Sequence, residues 1–140
     1  MQQQFFKCKC LFFLITVCFL AACSSDLPTE VAEAYKRLPE KIDFNYHVRP
    51  ILSDRCYACH GPDEKARKAH LRLDNETDAF AALKEGAGYA FLPHQPFKSE
   101  AVKRILSSDP ELVMPTPASK MTLNAMEKAT IVKWLEQGAE

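Results

Sequence analysis

The stretch Cys56-Tyr57-Ala58-Cys59-His60 lies near the middle of the chain and sets two thiols three positions apart, with an imidazole directly after the second. This C-x-x-C-H pattern is typical of covalent c-type haem attachment. The two thiols are spaced to add to the two vinyl groups of one porphyrin, and the adjacent histidine can then bind the iron from below the ring. The pattern therefore predicts one covalently bound haem c, held by Cys56 and Cys59, with His60 as an axial ligand.

Two other interpretations compete for the same pair of thiols. A redox-active dithiol uses this spacing in thioredoxin-like proteins, but there it follows a strand of a βαβ unit, and no segment of this chain has a convincing strand pattern. A structural zinc site needs four nitrogen or sulfur ligands. Because no second pair of cysteines is available, only histidines could complete such a site: His47, His60, His70 and His94.

The second axial ligand of the predicted haem is expected to come from a loop. Met114 lies in a proline-rich segment, far enough beyond His60 to reach the opposite face of the ring. Met121 and Met126 are instead expected to pack on each other across the start of a helix capped by Thr122. A thioether ligand favours ferrous iron and raises the reduction potential. Two loop histidines are alternatives that would give a bis-histidine centre of lower potential: His70 and His94.

The N-terminal residues have the pattern of an export signal. Lys7 and Lys9 precede an uncharged apolar run that is shorter than the roughly 20 residues a membrane-spanning helix needs. The run ends in Leu20-Ala21-Ala22-Cys23, which resembles a bacterial lipobox and predicts acylation of Cys23. An ordinary signal peptide or an uncleaved anchor is the alternative. We therefore expect residues 1–22 to be a lipoprotein signal peptide and the protein to lie in the bacterial cell envelope, as a periplasm-facing or outer-membrane lipoprotein.

Composition limits the remaining possibilities. The chain has 18 basic and 18 acidic side chains, so no strong field of one sign points to nucleic acid as a partner. Three of its six cysteines lie within the signal peptide, and a fourth is the predicted acylation site. Only Cys56 and Cys59 then remain, too few for a disulfide framework. A domain of this size has a marginal core, which a large buried cofactor would help to stabilise.

The rest of the chain divides into a short leading segment and one domain. Residues 23–41 are predicted to be a lipidated tether, and the folded domain is predicted over residues 42–140. Helical spacing of apolar residues, with capping and breaking signals, predicts an all-α fold of three to four short helices and long loops around one haem. One helix is capped by Asn45 and runs into the C-x-x-C-H motif. The others are predicted over Thr77–Glu85, over Ser99–Ser108, and from Thr122 to Gly138.

Several runs of the sequence together resemble the Planctomycete-type cytochrome c domain. The resemblance covers residues 42–140 and implies bacterial export and a monohaem cytochrome c fold, with His60 and Met114 on the two haem faces. The family usually has glycine at the position of His70. The runs are Ile42-Asp43-Phe44-Asn45, Val48-Arg49-Pro50-Ile51-Leu52-Ser53-Asp54, Cys56-Tyr57-Ala58-Cys59-His60-Gly61-Pro62-Asp63, Arg67-Lys68-Ala69, Leu71-Arg72-Leu73-Asp74, Asp109-Pro110-Glu111-Leu112-Val113-Met114-Pro115 and Trp134-Leu135-Glu136-Gln137-Gly138-Ala139-Glu140.

Motif and resemblance together predict a lipid-anchored one-electron carrier rather than an enzyme. Its expected partners are redox proteins of the cell envelope and, through the lipid anchor, the membrane. Lys65, Arg67, Lys68 and Arg72 form a basic run, for which a solvated loop is one interpretation. The other is that the lysines steer an acidic redox partner and Arg72 pairs with a haem propionate. A haem with an open iron position, acting as an enzyme or as a sensor of peroxide or a diatomic gas, is the main alternative. A C-x-x-C thiol oxidoreductase is the other.

Overall fold

The computed structural model describes residues 27–140, so the predicted signal peptide and Cys23 lie outside the described residues. Within this range the regular structure is helical, and the only β-type pairing is one isolated bridge between Ala82 and Tyr89. The predicted all-α class is therefore confirmed. The six α-helices are α1 (Thr29–Lys36), α2 (Arg49–Arg55), α3 (Tyr57–His60), α4 (Glu76–Ala79), α5 (Glu100–Leu106) and α6 (Ala125–Glu136). None of these helices within residues 27–140 combines the length and apolar character of a membrane span.

Helix α1 packs against α6. Val31 and Ala34 of α1 are fully buried in this contact. The hydroxyl of Tyr35 donates a hydrogen bond to the carboxylate of Glu136. Part of the segment expected to be a tether is thus packed on the domain, and the packed structure begins upstream of Ile42.

The approach to the C-x-x-C-H motif is built from three consecutive helical turns. A π-helical turn over Phe44–Val48 leads into α2, and α3 follows after a break at Cys56. The side chain of Asp43 accepts a hydrogen bond from the backbone N–H of Tyr46 and so caps the first turn. The prediction that Asn45 is the cap was wrong, because the equally suitable Asp43 lies two residues earlier.

Helix α6 starts later than predicted. Its N-cap is Asn124, whose side chain accepts from the backbone N–H of Glu127, while the Glu127 carboxylate accepts from the backbone N–H of Asn124. This reciprocal capping box satisfies two helix-end donors at once, which Thr122 could not do without an acidic residue three positions later. The predicted cap at Thr122 was wrong, so Met121 and Met126 do not hold the positions that were expected to pack together.

The two shorter predicted helices exist with reduced length. Helix α4 is capped by Asn75, whose side chain accepts from the backbone N–H of Asp78 at 3.1 Å, and ends at Ala79 rather than Glu85. Helix α5 lies within the predicted range Ser99–Ser108.

The core lies beside α6 and is centred on Trp134. The ring of Trp134 contacts the rings of Phe44, Phe80 and Phe91 at centroid distances of 5.5, 6.1 and 5.4 Å. Phe91 is almost fully buried, and it also borders a cavity on the far side of this cluster. Phe91 therefore connects the aromatic cluster to the wall of this cavity.

Candidate functional site

The C-x-x-C-H motif forms one closed helical turn. The carbonyl of Cys56 accepts hydrogen bonds from the backbone N–H of Cys59 at 3.1 Å and from that of His60 at 2.8 Å. The backbone N–H of Cys56 in turn donates to the carbonyl of Leu52 in α2 at 2.9 Å. Both thiols and the imidazole are therefore carried on a single turn whose direction is fixed by α2.

The chain can leave this turn only through a glycine. A Cβ atom on Gly61 would lie 2.3 Å from the carbonyl oxygen of Tyr57, closer than any side chain allows. The guanidinium of Arg67 donates to the carbonyl of Gly61 at 3.0 Å and to that of Pro62 at 2.9 Å. Arg67 thus stabilises the exit turn. The sequence, in which Arg67 is one member of a basic run, did not predict this role.

The following loop is tied back onto the motif by two backbone hydrogen bonds. The N–H of Lys68 donates to the carbonyl of Cys59, and the N–H of Leu73 donates to the carbonyl of His60, both at 2.8 Å. Between these ties, His70 has a positive φ of 53°. Such a conformation is easiest for glycine, which accounts for the glycine usual at this position in the resembling family.

A cavity of about 450 Å³ lies between this turn and α5. Its volume falls within the roughly 300–1,000 Å³ typical of cofactor and ligand sites. Three predicted site residues border it: Cys56, His60 and Met114. Most of the wall is apolar, from Leu52, Ala69, Leu71, Leu73, Leu83, Ala87, Ala90, Phe91, Ala101, Ile105 and Ile131.

The His60 ring has properties that suit a metal ligand. Its Nδ1 atom is buried and has no hydrogen-bond partner. Burial lowers the pKa of His60. The backbone of Lys68 partly opposes this shift, although it forms no hydrogen bond to the ring, and the positive charge of Arg104 lowers the pKa further. The ring is therefore held neutral, which is the form that binds a metal ion. A buried ring atom without a partner calls for an explanation, and a bound iron-porphyrin fits this apolar space.

The two motif cysteines are unpaired thiols. Burial raises the pKa of Cys56 to about 12, with smaller contributions from the charges of Glu127 and Cys59. A thiol held in its protonated form is a poor nucleophile for disulfide exchange, so the site does not suit a thiol oxidoreductase. Among residues 27–140, no group of three or more His, Cys, Asp or Glu side chains is arranged to hold a metal ion, which disfavours the zinc interpretation.

Met114 reaches the cavity from a loop that is anchored on the end of α5. Its backbone N–H donates to the carbonyl of Arg104 at 3.2 Å, and the N–H of Val113 donates to the carbonyl of Asp109 at 2.8 Å. The side chain of Met114 borders the same space as His60. The structure thus brings both predicted axial ligands to one cavity, and their bonding to iron stays a prediction.

Two other candidate residues lie elsewhere. His94 is held against the end of α6, where its N–H donates to the carbonyl of Leu135 at 2.7 Å, and it does not border the cavity. The guanidinium of Arg72 forms two hydrogen bonds to Asp74, at 3.0 and 3.1 Å, and also does not border the cavity. That pairing lowers the pKa of Asp74. Cys59 is half-buried beside the cavity-lining residues but is not itself one of them.

Residues 56–118 match the family model for Planctomycete cytochrome C. Over these residues the chain is similar to a Planctomycete cytochrome c domain. The matched segment includes the whole C-x-x-C-H turn of the cytochrome and its Met114 loop. Comparison with the curated proteins and comparison with the solved structures each give no match. A cytochrome c domain binds haem and carries electrons, and this is the class of function to which the match assigns the chain.

Proposed function

We propose that this chain is an exported, lipid-anchored monohaem c-type cytochrome that transfers single electrons. The observation that supports the proposal most directly is the meeting of Cys56, His60 and Met114 around one largely apolar cavity. A thiol, a neutral imidazole and a thioether are the side chains that c-type haem attachment and axial ligation require. The family match agrees with this chemistry.

Each of these residues has a defined part in the proposal. When bound, the haem supplies an iron centre that alternates between the ferric and ferrous states. Cys56 and Cys59 would hold the haem through thioether bonds, and His60 would be a ligand of its iron. Met114 would be the second ligand and would favour the ferrous state. Apolar side chains of the wall, including Leu52 and Phe91, would limit the access of water.

The same cavity bears on the alternative of an open iron position. An enzyme or gas sensor needs a free coordination site, and Met114 borders the cavity where it would occupy that site. His70 borders the cavity as well, so a bis-histidine centre is a distinct outcome that experiment can detect.

A spectroscopic experiment tests the ligand set. The protein is produced with a haem-maturation system, and the ferric form is examined for the weak far-red band of histidine–methionine ligation. We expect this band in the wild type, its loss in Met114→Ala, and its retention in Met126→Ala and His70→Ala. Met126 is a matched control because it lies on α6 with 38 % of its surface exposed and does not border the cavity. Survival of the band in Met114→Ala would exclude Met114 as the ligand. Rapid carbon monoxide binding to the reduced wild type would favour the open-site alternative.

The anchoring and the partners are proposed from the sequence. The run Leu20-Ala21-Ala22-Cys23 supports acylation of Cys23, and two or more acyl chains would hold the protein stably at a membrane. Redox proteins of the cell envelope would then be the electron donors and acceptors. Mass spectrometry of the native protein tests this part: we expect a mature chain that begins at an acylated Cys23, and an unmodified cysteine would refute the anchor.

A further inference from the structure

Arg104 has an unusual position for an arginine. It lies on α5, is only partly exposed, and borders the cavity whose other walls are mostly apolar. A cation facing an apolar space is costly unless an anion accompanies it.

No such anion is supplied by the placed side chains of residues 27–140. Arg104 forms no salt bridge and no side-chain hydrogen bond with any of them. Glu100, one helical turn earlier on α5, also borders the cavity, but its carboxylate pairs with the ammonium of Lys103 at 2.6 Å. The guanidinium of Arg104 therefore keeps its donors available to the cavity.

Arg72, the arginine that the sequence pointed to, is in the opposite situation. Its guanidinium is engaged by Asp74 through two hydrogen bonds and lies 4.0 Å from Asp78. It does not border the cavity. An arginine that is already neutralised by carboxylates is a weak partner for a further anion.

We propose that Arg104, rather than Arg72, is the residue that binds a haem propionate. This inference rests on the proposed function, because the propionate belongs to the haem of that site. A planar guanidinium matches a carboxylate through two parallel hydrogen bonds, which are strong where water is largely excluded. The remaining charged or titratable groups that border the cavity are Cys56, His60, His70, Lys84 and Glu100. Of these, Lys84 carries a second positive charge, and its side chain is exposed.

The same residue also connects the propionate to the distal ligand. The backbone carbonyl of Arg104 accepts the hydrogen bond from the backbone N–H of Met114. Side chain and main chain of one residue would thus fix the haem edge and the Met114 loop together. Replacing the side chain leaves the carbonyl in place, so the electrostatic role can be measured apart from the loop contact.

The reduction potential of the matured protein tests the proposal. Arg104→Gln removes a positive charge beside the propionate, and the loss of this charge favours the ferric state. We expect a three- to tenfold shift of the redox equilibrium toward ferric iron, or about 30 to 60 mV, since a tenfold change corresponds to about 59 mV for one electron. The far-red band should persist. Arg104→Lys keeps the charge and should recover most of the potential. Arg72→Gln is the matched control and should change the redox equilibrium constant by less than twofold.

The outcomes separate this proposal from the one on which it depends. An unchanged potential in Arg104→Gln, or a larger shift in Arg72→Gln, would overturn the role of Arg104 while leaving the cytochrome function intact. If Arg104→Gln does not mature, a second pair of neutral variants decides: a shift in Arg104→Met no larger than in Arg72→Met would overturn the proposal. A wild-type protein that takes up no covalent haem would overturn both.

Discussion

The two sides of the molecule are built differently. One side, here called the helical half, consists of α1, α6 and the turn over Phe44–Val48, and its contacts are formed by fully buried side chains such as Val31 and Leu135. The other side, here called the loop half, consists of residues 61–75, 84–91 and 109–121. It is tied to the helical motif by isolated backbone hydrogen bonds and surrounds a cavity of about 450 Å³.

The difference shows which half depends on the cofactor. The helical half buries side chains of its own in the α1–α6 contact, and its Trp134 packs on Phe44 as well as on Phe91 of the loop half. The cavity that the loop half borders is lined mostly by apolar side chains, and these would gain packing partners from a bound haem. The loop half is therefore expected to depend on the haem more than the helical half does.

The largest expected effect is a contrast in amide hydrogen exchange. In a haem-free Cys56→Ala/Cys59→Ala protein, amides in the middle of α6 should exchange at least ~100-fold more slowly than those of Lys68, Leu73 and Met114, because few contacts hold the loops closed. Haem attachment in the wild type should slow the loop amides much more than those of α6. Equal protection of both halves in the haem-free protein would break the comparison.

Truncations in the two cores should also differ. Leu135 is fully buried in the helical half, and Leu135→Ala should lower the free energy of unfolding by about 2–5 kcal/mol with or without haem. Ile105 borders the cavity, so Ile105→Ala removes fewer contacts from the haem-free protein than from the matured one. Urea denaturation of both forms measures this, and equal costs of Ile105→Ala in the two forms would contradict it.

The junction of the two halves is sensitive to Gly61. Gly61→Ala would place Cβ 2.3 Å from the carbonyl oxygen of Tyr57, and relief of that clash should cost about 1–3 kcal/mol of unfolding free energy and reduce the yield of covalent haem. Gly86→Ala is the control, because a Cβ there meets nothing within 4 Å. Because Gly86 has a positive φ of 73°, Gly86→Ala should cost about 1–2 kcal/mol of unfolding free energy, but its haem yield should be normal. Normal haem yield in Gly61→Ala would show that the exit turn is more tolerant than this geometry indicates.

A small effect is expected at high pH in the helical half. Burial, followed by the hydrogen bond to Glu136, raises the pKa of Tyr35 to about 12 from an ordinary value of 10. Since the folded state holds this proton more tightly, the contribution to stability is complete below pH 10 and is lost as the pH rises from 10 to 12. Between pH 9 and pH 11, the urea midpoint of the haem-free protein should therefore fall less in Tyr35→Phe than in its parent. An identical fall in the two proteins would contradict a stabilising role of the Tyr35–Glu136 hydrogen bond between α1 and α6.

The sequence was most informative where chemistry requires a fixed local pattern. The spacing of Cys56, Cys59 and His60 is enough to predict a haem attachment site. Met114 was predicted as the second ligand because of its stiff loop, whereas the packing expected to occupy Met121 and Met126 was wrong. Local signals were less decisive at Thr122 and Asn124, which are both good caps, and only the partner Glu127 separates them. The choice between these two caps depends on one reciprocal pair of hydrogen bonds between Asn124 and Glu127.

Long-range partners could not be read from the chain. The sequence pointed to Arg72, and only the folded chain shows that Arg72 is paired with Asp74 while Arg104 borders the cavity. His94 likewise lies with its ring against Gly138 at the end of α6 rather than near His60. The positions of Arg104 and His94 depend on contacts between residues distant in sequence, which periodicity and capping rules do not encode.

Covalent haem content tests the central claim most directly. The protein is produced with a haem-maturation system, its intact mass is measured under denaturing conditions, and its spectrum is recorded in alkaline pyridine. We predict a mass increase of one haem and a c-type spectrum in the wild type, with neither in the Cys56→Ala/Cys59→Ala variant. A colourless wild-type protein with both thiols free would contradict the account.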